Sequence, residues 1–185
     1  MPLTQVQGGM ILPSTTLTTP IVATTMGVGG ATPAASGAGI TFPATQSASS
    51  NANTLDDYEE GTWTPTVVGV TSYSQQNATY IKIGKYVHVY GEVTCVDPGT
   101  LSAFDVASLP FTIQASPIAY PVGNFFPVVG FSSNATSLVF QGSAANTTTR
   151  LYWISNGTTN YNNITSSDLQ NTIVFEFSLS YIASA

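Results

Sequence analysis

The chain has 185 residues, enough for one ordinary domain with an extension. Charged residues make up only 6% of it, against roughly 25% in ordinary soluble proteins, and the formal net charge is −6. Its basic residues, Lys82, Lys85 and Arg150, are too few to form the Lys/Arg cluster that nucleic-acid binding requires. A surface with this few charged residues protects a free monomer poorly against self-association. We therefore expect copies of the chain or a larger particle to cover most of the surface.

Residues 1–50 differ from the rest because they contain no Asp, Glu, Lys, Arg or His. They are rich in Pro, Gly and Thr, which excludes long helices and favours extended backbone. We therefore predict an extended arm over residues 1–50, with one short strand at Ile21–Met26. The first residues lack the basic and apolar regions of a secretory signal, and no run approaches the roughly 18 apolar residues of a membrane span. We expect synthesis in the cytoplasm and no membrane insertion.

A short linker, residues 51–61, follows the arm and carries the densest run of acids. Its Thr54–Asp57 segment fits a helix-capping pattern, which predicts one helical turn that Gly61 can end. Neighbouring carboxylates invite an active-site or a metal-site interpretation, but no cleft and no looped ligand spacing is implied. We favour a linker or intersubunit role for the four acids of this run: Asp56, Asp57, Glu59 and Glu60.

From residue 62 to residue 185 the hydrophobic pattern has a period of two, which is typical of half-buried strands. The second strand of a predicted hairpin places Val87, Val89, Val93 and Cys95 on one face. The last strand places Ile173, Phe175, Phe177, Leu179 and Tyr181 inward. The predicted strands are Thr62–Val70, Ala78–Ile83, Tyr86–Val96, Ser102–Ala107, Ile118–Pro121, Phe126–Phe131, Ser137–Gln141, Arg150–Ser155 and Thr172–Ile182. This pattern predicts an all-β fold, with an antiparallel β-sandwich over residues 62–185.

No enzymatic motif emerges, and we expect neither a metal nor another cofactor. His88 is the only histidine and Cys95 the only cysteine, so they cannot build an ordinary zinc site. No nucleophile elbow accompanies the many serines. The sequence favours a buried Cys95, a surface or intersubunit His88, and a protein that is not an enzyme.

Residues 150–163 are the best candidate for ligand recognition. Aromatic rings can cover the C–H patches of a sugar while amide side chains bond its hydroxyl groups, which predicts glycan contacts through Arg150, Tyr152, Asn160 and Tyr161. The alternative is a polar loop at the edge of the sandwich, since this composition recurs throughout the chain.

Four blocks carry a resemblance to a known family: GITFPATQ, NANTLDDYEEGTWTPT, YIKIGKYVHVYGEVT and SLPFT. In this order they resemble the C-terminal modules of tailed-bacteriophage tail fibres and related virion appendage proteins. The resemblance implies a jelly-roll-like sandwich, a homotrimer, a location in the virion, and attachment to other virion proteins through the arm. It further implies adhesion to a host-surface glycan. The alternative is a capsid- or neck-associated fibre or connector that binds no receptor. Unlike long tail fibres, the chain has no heptad shaft and no β-helix repeat.

Overall fold

The computed structural model describes residues 25–46, 48–51, 53–116, 121–131, 137–142, 144–154 and 161–184, and the chain divides into two units after residue 43. Within these residues the regular structure is almost entirely strand, with one 3₁₀ turn at Ser166–Asp168. The all-β prediction is therefore confirmed. The strands are β1 (Thr25–Gly27), β2 (Gly39–Thr41), β3 (Tyr58–Trp63), β4 (Thr66–Val67), β5 (Tyr73–Ile83), β6 (Tyr86–Val96), β7 (Phe104–Ala107), β8 (Val122–Phe131), β9 (Ser137–Gly142), β10 (Thr149–Ile154), β11 (Tyr161–Asn163) and β12 (Leu169–Ile182).

The described part of the first unit is a two-stranded parallel ribbon formed by β1 and β2. The Val28 N–H donates to the Thr41 carbonyl at 3.0 Å, and the Ala31 N–H donates back to the Val28 carbonyl at 2.9 Å. The Thr25 hydroxyl adds a bond to the Ala34 carbonyl at 2.6 Å. Extended backbone in this segment thus finds partners within the segment itself, and the Ile21–Thr24 part of the predicted strand lies outside the described residues.

In the second unit, the sheet that we call the long sheet has the strand order β3-β5-β6-β12-β8 and is antiparallel throughout. Its centre is the predicted hairpin of β5 and β6, which turns at Gly84 with a φ of 56°. Glycine suits this left-handed position because it has no Cβ to clash with the backbone. The hairpin prediction is confirmed.

The other sheet, which we call the short sheet, contains β4, β7, β9, β10 and β11. Strand β9 pairs with β10 along its whole length, whereas β7 pairs with Thr149–Leu151 and β11 with Tyr152–Ile154. Because a strand has only two edges, β7 and β11 must follow one another along the edge of β10 opposite β9. Strand β4 completes the sheet on β7.

The hydrophobic core lies between the two sheets, as a sandwich requires. The Phe104 ring of the short sheet packs edge-on against Phe175 of the long sheet at 5.3 Å between centroids, and Phe140 faces Phe177 at 6.5 Å. The residues predicted to point inward from β6 and β12 are all buried: Val87, Val89, Val93, Cys95, Ile173, Phe175, Phe177, Leu179 and Tyr181. Alternation along each strand therefore identified the buried face correctly.

Two local predictions were wrong. The residues Thr54–Asp57 form no helical turn, because the carboxylates of Asp56 and Asp57 bond to partners outside the segment rather than capping it. The single predicted strand Thr62–Val70 is two strands in different sheets, β3 and β4. The break falls at Thr64–Pro65, and proline explains it because it has no N–H with which to continue a ladder.

The Ile118–Tyr120 part of a predicted strand lies outside the described residues. No helix in the described part of the chain is long and apolar enough to cross a bilayer.

Candidate functional site

A buried ion pair fixes the acidic run to the long sheet. The Lys82 ammonium on β5 donates to Asp57, and the side chains of both residues are 5% exposed. Lys82 Nζ also lies 3.3 Å from Gln46 Oε1 and 5.3 Å from the centroid of the Phe111 ring. A buried charge is costly unless it is paired, so Asp57 and Lys82 depend on each other.

The other three acids of the run also have partners within the second unit. Asp56 accepts hydrogen bonds from the Ser49 N–H at 2.7 Å and from Gln46 Nε2 at 3.2 Å, and the bond from Ser49 is the main cause that lowers the pKa of Asp56. Glu59 accepts a hydrogen bond from the Tyr80 hydroxyl at 2.5 Å, and Glu60 accepts one from the Tyr58 hydroxyl at 2.8 Å. The four acids therefore hold the linker and β3 in place rather than facing one another across a cleft.

The predicted glycan residues on β10 and β11 share the outer face of the short sheet. The Tyr152 and Tyr161 rings pack edge-on with centroids 5.9 Å apart, and Tyr161 is 63% exposed. Arg150 binds Asp105 of β7 in a two-pronged pair, Nε to Oδ1 at 2.6 Å and Nη2 to Oδ2 at 2.8 Å. We call these four residues the tyrosine cluster; the remaining predicted residue, Asn160, lies outside the described residues.

The Arg150 guanidinium remains charged at any ordinary pH. Its hydrogen bond to Asp105 is the main cause that raises the pKa of Arg150, and the Tyr152 hydroxyl acts in the same direction. Because the planar guanidinium is held by both carboxylate oxygens, its position beside Tyr152 is fixed. The cluster thus offers aromatic area and N–H donors in a fixed arrangement, which suits a polyhydroxylated ligand.

His88 and Cys95 have structural surroundings. His88 Nδ1 lies 2.9 Å from Ser180 Oγ, and the Tyr86 hydroxyl lies 2.8 Å from the same oxygen. A catalytic Ser–His pair also needs an orienting acid, and no described carboxylate bonds to His88. Burial raises the pKa of the Cys95 thiol to about 12, so it stays protonated and unreactive at neutral pH.

The outer face of the long sheet carries two features that the sequence analysis missed. One is an apolar patch at the β5–β6 turn, which we call the hairpin patch: Tyr58, Ile81, Ile83 and Tyr86, which are 39–47% exposed. The register aligns Tyr58, Ile83 and Tyr86 in one row across three strands. The other is a depression of about 280 Å³ further along the sheet, which we call the glutamate depression and which is lined mainly by Tyr90, Asn124, Phe126, Glu176 and Ser178.

Sequence alternation did place several of these side chains outward, but it could not show which strands are neighbours. Both features depend on the register of β3, β5, β6, β12 and β8, which brings together residues that are up to about ninety positions apart. The described residues contain no group of three or more His, Cys, Asp or Glu side chains that could hold a metal ion.

Comparison with protein-family models, with curated proteins and with solved structures gives no match. The function must therefore be inferred from the residues and geometry of this chain.

Proposed function

We propose that this protein is a structural, non-enzymatic component of a tailed-phage virion, and that its sandwich attaches to a glycan of the host surface. The observation that carries the adhesive role is the tyrosine cluster, in which the exposed Tyr161 ring packs on the half-buried Tyr152 ring and Arg150 holds a fixed guanidinium beside Tyr152. The sequence blocks that resemble tail-fibre modules support the place in a virion. The arm, residues 1–50, would then bind other virion proteins.

The same proposal includes a homotrimer, and the hairpin patch is the surface that favours it. The patch lies where β3 leaves the linker, since Tyr58 directly follows Asp57. It exposes four large apolar side chains. Two charged residues accompany them: Glu60, which accepts a hydrogen bond from the Tyr58 hydroxyl at 2.8 Å, and Lys85 at the turn. A second and a third copy of this chain are its proposed occupants.

An adsorption assay tests the adhesive role. Labelled full-length chain would be mixed with a panel of bacterial cells and a glycan array, alongside the variant Tyr152→Ala/Tyr161→Ala. Loss of two stacking rings should reduce binding by about tenfold or more, since each ring–ligand contact is worth on the order of 1 kcal/mol. The matched control is Val129→Ala, which removes an exposed apolar side chain from the other sheet.

The second candidate function is a capsid- or neck-associated fibre or connector without a receptor. One observation favours it: Arg150 is already satisfied by Asp105, as it would be in a purely structural ion pair. This candidate predicts that the double tyrosine variant assembles into particles normally and adsorbs as well as the natural chain. That result would remove the adhesive role and leave the virion role standing.

A further inference from the structure

The glutamate depression lies over two adjacent rows of outward-facing side chains on the long sheet. In one row, Glu176 of β12 pairs with Glu92 of β6 and with Phe126 of β8. In the next row, Ser178 of β12 pairs with Tyr90 and Asn124 on the same two strands. The small side chain of Ser178 leaves a gap between the strands that carry Tyr90 and Phe126, which are roughly 10 Å apart because neighbouring strands are spaced by about 4.8 Å.

The walls of this gap are aromatic and freely accessible. Tyr90 is 53% exposed and Phe126 is 63% exposed. Ser178 and Glu176 lie on β12, the strand between those that carry Tyr90 and Phe126, and Asn124 lies beside Phe126 on β8, so that these three residues add polar groups to the lining. A flat ring with hydroxyl groups on its rim fits such a slot, because its faces contact the aromatic rings and its rim contacts these polar groups. The volume is close to the roughly 300 Å³ at which small-ligand sites begin, so the slot accepts one sugar unit rather than a large ligand.

The charge of the depression is unusual for this protein. Glu176 lines the depression, and Glu92, which is outside the lining, lies directly opposite Glu176 on the neighbouring strand. This arrangement costs stability because like charges repel. The other carboxylates near the long sheet, in the linker and on β3, each have a hydrogen-bond donor. No described residue donates a side-chain hydrogen bond to the carboxylate of Glu92 or Glu176, and neither carboxylate has an ion pair within the described part of the chain. A ligand that brings a positive charge would remove the repulsion.

These features select the class of ligand. An anionic sugar is excluded by the two carboxylates. A bare divalent cation needs six or more oxygen ligands, which a site walled by two aromatic rings does not supply. An ammonium group is attracted both by the carboxylates and by the faces of the rings.

We propose that the glutamate depression binds an amino sugar, with its ammonium group held by Glu176 and Glu92 and its ring held between Tyr90 and Phe126. The site is on the opposite sheet from the tyrosine cluster. On the long sheet, the row that contains Tyr90 is next to the row that pairs His88 with Ile81 of the hairpin patch. The inference rests on the proposed adhesive role only for the choice of a sugar as the carrier of the ammonium group.

Ligand-observed NMR and calorimetric titration of the full-length chain test this site with defined probes. We expect methyl 2-amino-2-deoxyglucoside to bind about tenfold more tightly than its N-acetyl analogue and than methyl glucoside, since only the first carries the charge. The variant Glu176→Gln should bind the charged sugar more weakly by about the same factor. The matched control, Asp97→Asn, removes an exposed carboxylate elsewhere and should bind as the natural chain does.

Thermal unfolding provides a second measurement, and a merely structural role of Glu176 would not give the result that we expect from it. Glu176→Gln should raise the melting temperature of the free protein by about 1–3 °C while it weakens binding, because it removes the repulsion with Glu92. A variant that gains stability and loses the ligand has a folded site, so failure to fold cannot explain the loss.

Three outcomes would overturn the inference. Equal binding of the charged sugar and the N-acetyl analogue would show that the glutamates do not recognise the ammonium group. Binding of n-butylammonium as tight as that of the amino sugar would show that the site does not recognise the sugar ring. A sedimentation shift caused by Glu176→Gln would assign the depression to contacts between copies. None of these results affects the proposed adhesion through the tyrosine cluster, which fails separately if the tyrosine-cluster variant adsorbs normally to cells.

Discussion

The acids of the linker and the acids of the long sheet have the same charge but opposite surroundings. Asp56, Asp57 and Glu59 each have a donor that holds them in place. Glu92 and Glu176 lie directly opposite each other on neighbouring strands, and no described residue donates a hydrogen bond to either carboxylate. The difference indicates that the first group stabilises the fold, whereas the second group remains available for a partner from outside the chain.

The largest effect should come from breaking the buried ion pair. Asp57→Asn leaves the Lys82 ammonium buried without an opposite charge, so the free energy of unfolding should fall by about 3–5 kcal/mol. Urea denaturation measures this. The control Asp97→Asn changes an exposed carboxylate and should lie within about 0.5 kcal/mol of the natural protein. A loss below about 1 kcal/mol for Asp57→Asn would show that the acidic run is not the structural anchor we describe.

Replacing both members of the pair sharpens this test. In Asp57→Leu/Lys82→Met neither charge is buried, so much of the stability lost in Asp57→Asn should return. If the double variant is less stable than the single one, the hydrogen bonds of this pair matter more than its charges.

Alkaline pH should weaken the contact between β3 and β5. Burial raises the pKa of Tyr80 from 10.0 to about 12, and the hydrogen bond to Glu59 acts in the same direction. Because the pKa is raised in the folded state, the stabilisation is fully present below pH 10 and is lost as the pH rises from 10 to 12. Tyr80→Phe should show a shallower fall of stability over that window in urea denaturation. An identical fall would assign the loss to other groups, such as Cys95.

The ion pair on the short sheet, which is only partly exposed, should contribute less than the buried one. Asp105→Asn weakens the two-pronged bond to Arg150, whose side chain is 40% exposed. We expect a loss of about 0.5–1 kcal/mol, since water screens such pairs. Measuring the natural protein and the variant in low and high salt separates the charge contribution, which salt should reduce. A loss as large as that of Asp57→Asn would contradict the distinction between the two pairs.

The smallest effect should have the opposite sign. Glu92→Gln removes the repulsion with Glu176 and should raise the free energy of unfolding by about 0.2–1 kcal/mol. A decrease instead would mean that these glutamates have a stabilising partner, as the linker acids do.

Much of the fold could be predicted from the sequence, because alternation depends only on neighbours along the chain. It identified the buried faces of β6 and β12 and the hairpin at Gly84. It could not predict that Thr62–Val70 crosses between sheets, since that depends on where the pairing of β3 with β5 ends. The candidate site shows the same limit. Tyr152 could be placed outward on its strand. The ion pair of its neighbour Arg150 with Asp105, and the pairing of Glu92 with Glu176, depend on strand order, which no local pattern encodes.

The central claim is that identical copies of this charge-poor chain assemble with one another. Sedimentation equilibrium of the full-length protein tests this claim most directly. We predict a mass three times the 19.3 kDa of one chain, and a shift towards the single-chain mass when Ile83→Lys places a charge in the hairpin patch. A freely soluble, folded monomer at high concentration would contradict the account.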